Sequence, residues 1–387
     1  MCDDITAVVG GDGALERLKR TCPLGDAWFG DRVAPTPPLA RVDGREAGLE
    51  DALDEAAAIL GRARVPLVYG LGQTTCEAQR TAVALAETLG AVIDPAGPSF
   101  DGASGLAFPA RGASTATLGE VRDRADVVVI WRADPITTHP RLFERLRLPD
   151  ASRPLIVVDE RRTATAAAAD SFLELPADRD VEALWTLRAL VQDAPVASDP
   201  PLGDLAARLR GFRYVAILHH VHGHVAALGL DALVRDLSQV THAVAVTLRH
   251  ESNAAGAEDV LAWQTGYPSA VSFADGHPRS NPGELSASAV IERGEADAAL
   301  VVGSDPHAHL SPQAAERLRE IPFVSIDARD TATAGAARVA FTTAAAGVYR
   351  PGVVHRLDGV PVPLHALLES SRPSDEDVLK AIAGRLA

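Results

Sequence analysis

Two short stretches combine acidic, basic and hydroxyl side chains at the end of apolar runs. "IVVDERRTATAAAAD" covers 156–170, and "VSIDARDTATAGAAR" nearly repeats it over 324–338. Each reads Asp–x–Arg–x–Thr–x–Thr: Asp159, Arg161, Thr163 and Thr165 in the first, Asp327, Arg329, Thr331 and Thr333 in the second. A carboxylate, a guanidinium and two hydroxyls at a strand end could hold a nucleotide. The same residues could also serve as ordinary caps and turns.

A second repeated element precedes each copy. "RADVVVIWRADPITTHPRL" (124–142) is echoed by "EADAALVVGSDPHAHLSPQ" (295–313), so Asp134–Pro135 corresponds to Asp305–Pro306. One copy alone would be read as a turn. Two copies in matched order favour an ancestral nucleotide cradle of Asp134, Asp159, Arg161, Thr163, Thr165, Gly303 and Asp305. Gly303 would let backbone approach a pyrophosphate, whereas Arg132 stands at its counterpart.

Other polar groupings are less specific. "LHHVHGH" places His219, His220, His222 and His224 close together. Imidazoles bind zinc, but such closely spaced histidines also cap helices or bond locally, and no metal site is assigned to them. "VYGLGQT" has Gly–x–Gly without the third glycine of a dinucleotide fingerprint. Arg249, His250, Glu251 and Asn253 form either a polar constellation at a crevice or a solvated loop. No nucleophile–base set follows from spacing, so no catalytic residue is assigned.

These residues need strands to carry them. Apolar runs at 65–70, 91–93, 126–131, 155–159, 214–218, 243–247, 298–303 and 323–327 lack strict alternation, as strands covered on both faces do. Helical patterns fill 50–61, 75–89, 181–192, 224–238, 312–319 and 375–386, with Thr74 and Glu77 spaced as a capping box. The alternation predicts doubly wound α/β domains with parallel sheets and a pseudo-repeat. Proline-rich linkers fall at 33–44 and 193–203.

The bulk properties narrow the function. The 387 residues carry a formal charge of −15, which disfavours nucleic acid and anionic membranes as partners. No apolar run is long enough to span a bilayer, the start is acidic, and three cysteines are too few for a disulfide scaffold, so the expectation is cytoplasmic.

"DERRTATAAAAD" resembles the nucleotide-contacting element of molybdopterin oxidoreductases, the superfamily of formate dehydrogenase, and "WRADP" and "VGSDP" occupy its Gly–x–Asn–Pro turns. "MCDDI", "YGLGQTTCEAQRTAVALAETLGAVID", "AWQTGYPSAVSFADGHPRSNPGE" and "HRLDGVPV" are similar to the B-type subunit of formylmethanofuran dehydrogenase and its bacterial counterpart in the formyltransferase/hydrolase complex. That resemblance runs from Cys2 to about Val362. Family members with dehydrogenase activity hold a four-cysteine cluster, of which Cys2 and Cys22 remain in matching places; Cys76 lies elsewhere. They also supply a metal-binding cysteine or selenocysteine within the stretch matching "IDPAGPSFDGASG" (93–105), where Phe100 stands instead. Both Asn positions of the turns are Asp here.

The resemblance therefore implies a non-catalytic structural subunit with a vestigial cradle and no cofactor. Its partners would be the amidohydrolase-like A-type, the formyltransferase D-type and the C-type subunits of the same complex. That complex would work in tetrahydromethanopterin- and methanofuran-linked one-carbon metabolism, from formaldehyde to formate. Two alternatives stay open. One is an active dehydrogenase subunit holding a molybdopterin cofactor, with Asp101 or the histidines as ligands. The other is a nucleotide- or pterin-binding module without redox chemistry. The expected domains are a short N-terminal piece over 1–50, a discontinuous α/β domain over 51–110 plus 205–387, and an inserted α/β domain over 111–204.

Overall fold

The computed structural model describes all residues except 1–2, 12, 34–36, 96–111, 198 and 387. Phe100 and Asp101 thus lie outside the described residues, as does Cys2. The strands are β1 Thr6–Val9, β2 Leu15–Lys19, β3 Ala40–Val42, β4 Arg45–Glu46, β5 Pro66–Gly70, β6 Val92–Asp94, β7 Val127–Trp131, β8 Leu155–Asp159 and β9 Ser171–Glu174. They continue with β10 Tyr214–His219, β11 His242–Thr247, β12 Val271–Ser272, β13 Arg279–Ser280, β14 Ala298–Val302, β15 Phe323–Asp327, β16 Val339–Thr342, β17 Gly352–His355 and β18 Pro361–Leu364.

The chain forms two compact units, each a mixed α/β structure. The first comprises Asp101–His250 with Leu357–Val360. Its five strands run in the order β11-β10-β7-β8-β9, all parallel. Successive residues of one strand point to opposite faces, and both faces are apolar. Val127, Val129, Trp131, Ile156 and Val158 pack with the helices Asp180–Val191, Pro200–Gly211 and His224–Leu237. Val128, Ile130, Leu155 and Val157 pack on the other side with Leu118–Arg124 and Leu142–Leu146. This two-sided cover is why these runs read as continuously hydrophobic.

The second unit comprises Cys2–Phe100, Glu251–Arg356 and Pro361–Ala387. Its nine strands run β13-β12-β6-β5-β14-β15-β16-β3-β4, with β6, β5, β14, β15 and β16 parallel and the outer strands antiparallel. Val68, Leu300, Val302 and Val324 face the helices Leu49–Arg62, Cys76–Leu89, Ala254–Thr265 and Asp375–Leu386. Leu67, Tyr69, Val301 and Phe323 face Ala287–Glu292 and Pro312–Leu318.

Two boundaries differ from those expected. The inserted unit does not close at 204: β10 and β11 pair onto β7, so it continues to His250. Within the expected N-terminal piece over 1–50, β3 and β4 join the nine-stranded sheet through β16, while β1 and β2 pair only with each other. The capping box expected from Thr74 and Glu77 does not form, and the N-cap lies one residue later. Thr75 caps the Cys76–Leu89 helix by accepting from the Ala78 amide at 3.3 Å, whereas the Thr74 hydroxyl donates to Asp375 at 2.5 Å. Glu77 instead accepts the Val353 amide at 3.1 Å.

Candidate functional site

In each unit the strand order reverses once, between β7 and β10 in the first and between β5 and β14 in the second. Crevices at strand carboxyl ends form at such reversals, and the repeated Asp–Pro turns leave the sheets there. In the first unit β7 ends at Trp131, and Arg132 adopts a left-handed conformation with φ 55°. In the second unit Gly303 follows β14 with φ 53°. Asp134 and Asp305 then take near-identical backbones, φ/ψ −119°/69° and −119°/79°, each before a short helix starting with proline. The repeat seen in sequence is thus a repeat in backbone geometry.

The threonines divide their work in the same way in both copies. Thr163 caps the Ala164–Ala167 helix, accepting from the Ala166 amide at 3.1 Å; Thr331 accepts from Ala334 at 3.0 Å. The second threonine of each pair is fully buried and turns to the aspartate. Thr165 donates its hydroxyl to Asp134 Oδ1 at 2.5 Å and its amide to the same oxygen at 2.9 Å. Thr333 donates its hydroxyl to Asp305. Thr137 donates to the other Asp134 oxygen at 2.7 Å. Burial raises the Asp134 pKa, but the Thr165 and Thr137 hydroxyls and the local amides outweigh it and leave it below the usual carboxylate value.

Arg132 is drawn away from the turn. Its guanidinium donates to both Asp180 oxygens, at 2.8–3.0 Å, and to the carbonyls of Leu175 and Pro176 at 2.7 and 2.9 Å. The pair is secluded, with side chains 6% and 10% exposed, and Trp131 Nε1 also donates to Asp180. Asp180 carried no sequence signal, because an acidic residue opening a helix reads as a favourable helix start. Asp159 is buried, accepts the Glu160 amide at 2.8 Å and has its pKa raised by burial; Arg161 is exposed. Its second-unit counterpart Asp327 instead receives the Arg329 guanidinium at 3.0 and 3.1 Å.

These residues are a poor match for a pyrophosphate. The first-unit turn carries an arginine side chain where close backbone approach needs none, and an anionic carboxylate at its tip. In the second unit the missing Cβ of Gly303 is accounted for by the chain itself. A Cβ there would lie 3.1 Å from the Gln73 carbonyl carbon and 3.2 Å from the Thr74 nitrogen.

The histidines gather at the carboxyl end of the first unit's sheet. His219 ends β10 and is buried, which pushes its pKa down to about 3. His220 lies against His222 and His250 with ring centroids 4.8 Å apart in both cases. His224 opens the His224–Leu237 helix. His139, which sequence patterning did not single out, joins them: its Nε2 is 2.7 Å from the Arg249 carbonyl, and burial lowers its pKa to about 4. Among the described residues, no group of three His, Cys, Asp or Glu side chains is disposed to hold a metal ion. Among them, no helix is long and apolar enough to cross a membrane.

Comparison with known proteins places this geometry in a family. No family model matches the chain. It is 34% identical to the B-type subunit of the tungsten-containing formylmethanofuran dehydrogenase 2 of Methanocaldococcus jannaschii, over 99% of this chain and 95% of that one. It is 33% identical to the B-type subunit of the formyltransferase/hydrolase complex Fhc of Methylorubrum extorquens, over 69% of this chain and 75% of the relative. Among solved structures, a chain of the formyltransferase/hydrolase complex FhcABCD from Methylorubrum extorquens, crystallised with methylofuran, superposes with a TM-score of 0.76. That match has 30% identity and covers 90% of this chain and 98% of the other. The chain therefore belongs to the family formed by the B-type subunits of formylmethanofuran dehydrogenase and of the formyltransferase/hydrolase complex.

Proposed function

We propose that this chain is a non-catalytic structural subunit of a cytoplasmic formyltransferase/hydrolase complex. Its two units would be molybdopterin-oxidoreductase-type domains whose nucleotide cradle persists as architecture. The observation that carries this reading is the closed circuit at the first-unit turn. Asp134 is satisfied by Thr165 and Thr137, and Arg132 is committed to Asp180. A cofactor pocket needs donors pointed at the ligand, and here they point at each other. Phe100, standing where the resemblance puts a metal-binding cysteine, agrees with it. Formyl transfer to a methanofuran-type carrier and hydrolysis to formate would then belong to the formyltransferase and amidohydrolase-like partners. The C-type partner and this chain would hold them together.

The dehydrogenase reading has one observation in its favour. The alignment with the tungsten enzyme spans 99% of this chain, against 69% for the Fhc relative. The double variant Thr163→Val/Thr165→Val separates the readings in the assembled complex. The structural reading predicts a lower melting temperature with formyl transfer per intact complex unchanged. Loss of transfer in complexes of normal composition would overturn it.

A further inference from the structure

Several buried polar side chains of the second unit lack hydrogen-bond partners, Glu251, Ser304 and His309 among them. Glu251 is 5% exposed at its side chain, and neither carboxyl oxygen makes a hydrogen bond. Ser304 Oγ, just after β14, and His309 Nδ1 are likewise unpaired, and His309 Nδ1 lies 3.7 Å from Glu251 Oε1. Unpaired buried polar atoms are costly and uncommon, so each calls for an explanation.

The surrounding chain accommodates them closely. A Cβ on Gly72 would stand 1.7 Å from Glu251 Oε2, and one on Gly70 would stand 2.5 Å from Ser304 Cβ. Gly70 ends β5 and Gly72 lies in the turn that follows, beside β14 at the strand-order reversal. His309 beyond β14 lies 3.7 Å from Glu251, and Tyr69 on β5, Asp327 at the end of β15 and Arg329 just after it interact with it electrostatically. Asp305 and Arg32 complete the local charge around Arg329.

The chemistry of the unpaired atoms indicates what they would bind. Burial, reinforced by Asp327 and opposed by Arg329, pushes the Glu251 pKa up to about 8, so at neutral pH it is a carboxylic acid able to donate. Burial also holds His309 below its ordinary value and therefore neutral. Asp327 is occupied by Arg329. A protonated carboxyl and a hydroxyl are donors, and charge-assisted hydrogen bonds to an anion are the strong ones. Asp305 and Asp327 nearby would repel a second negative charge.

We propose that Glu251, Ser304 and His309 form a site for a small monoanion, a carboxylate or an inorganic oxyanion. The site adjoins the second-unit turn, since Ser304 stands between Gly303 and Asp305, but Asp305 itself is already held by Thr333. The proton on Glu251 is part of the site, so binding takes up a proton wherever free Glu251 is ionised.

Calorimetry on the intact complex, with acetate and nitrate as probes in two buffers of different protonation enthalpy, tests this. Proton uptake on binding should approach one per site a pH unit above about 8 and vanish a unit below it. Glu251→Gln, which keeps a donor but cannot titrate, should bind with no uptake at either pH. Ser304→Ala should weaken binding about tenfold. A response to acetate alone assigns a carboxylate, and a response to nitrate alone an oxyanion. Uptake unchanged in Glu251→Gln, or no response of the wild type to either probe, would overturn the proposal.

Discussion

The Thr165 hydroxyl donates to Asp134 Oδ1 at 2.5 Å, across 31 positions of sequence, and the second unit repeats the bond between Thr333 and Asp305. Each bond ties the βα turn after one strand to the turn after its neighbour. The paired threonines at these strand ends are thus explained within the chain: one caps a helix, and the other locks two turns together.

Thr165→Val should destabilise the protein by about 1–3 kcal/mol, since it removes a buried donor and leaves part of the Asp134 carboxylate unsatisfied. Thr163→Val should cost about 1 kcal/mol, as the loss of an N-cap does. Chemical denaturation followed by circular dichroism measures both.

Arg132 and Asp180 form a secluded pair, so removing one partner strands the other. Asp180→Ala should cost about 3–5 kcal/mol. The double variant Arg132→Gly/Asp180→Ala should recover part of that loss, because glycine relieves a left-handed backbone that costs about 1 kcal/mol or more in other residues. A double-mutant cycle showing simple additivity would contradict the coupling.

Glu251 sets a pH dependence of known sign. Its folded pKa of about 8 lies above the ordinary 4.5, so between these values the folded state holds a proton that the unfolded state has released. Wild-type stability should therefore fall relative to Glu251→Gln as pH rises from about 4.5 to about 8, by about 1.4 kcal/mol per pH unit, and level off above. Paired melts across that range measure it.

The parts legible in sequence were those with long-range pattern. The strands at 155–159 and 323–327 stand where their apolar runs put them, and the Asp375–Leu386 helix matches its expected span. The Ala254–Thr265 helix was missed because its apolar residues are not confined to one stripe: Ala254, Ala255, Ala257, Val260 and Leu261 are all buried. The capping shift from Thr74 to Thr75 arose because adjacent threonines offer identical signals, and only the distant Asp375 decides between them. Within the candidate cradle, residue types and order were readable. Which hydroxyl meets which carboxylate was not, since that depends on two turns brought together by the sheet. Glu251 looked like one residue of a polar loop, and its burial depends on Gly72 and on residues near 309 and 329.

The central claim, that the cradle is architecture in a structural subunit, is tested most directly by the metal and pterin content of the complex. The measurement is elemental analysis for tungsten, molybdenum and iron, with fluorescence of released pterin, on complex purified anaerobically with its partner subunits. The account predicts tungsten, molybdenum and pterin far below one per complex, with formyl transfer intact. Near-stoichiometric tungsten or molybdenum together with pterin would contradict it and make this chain the catalytic subunit of a dehydrogenase.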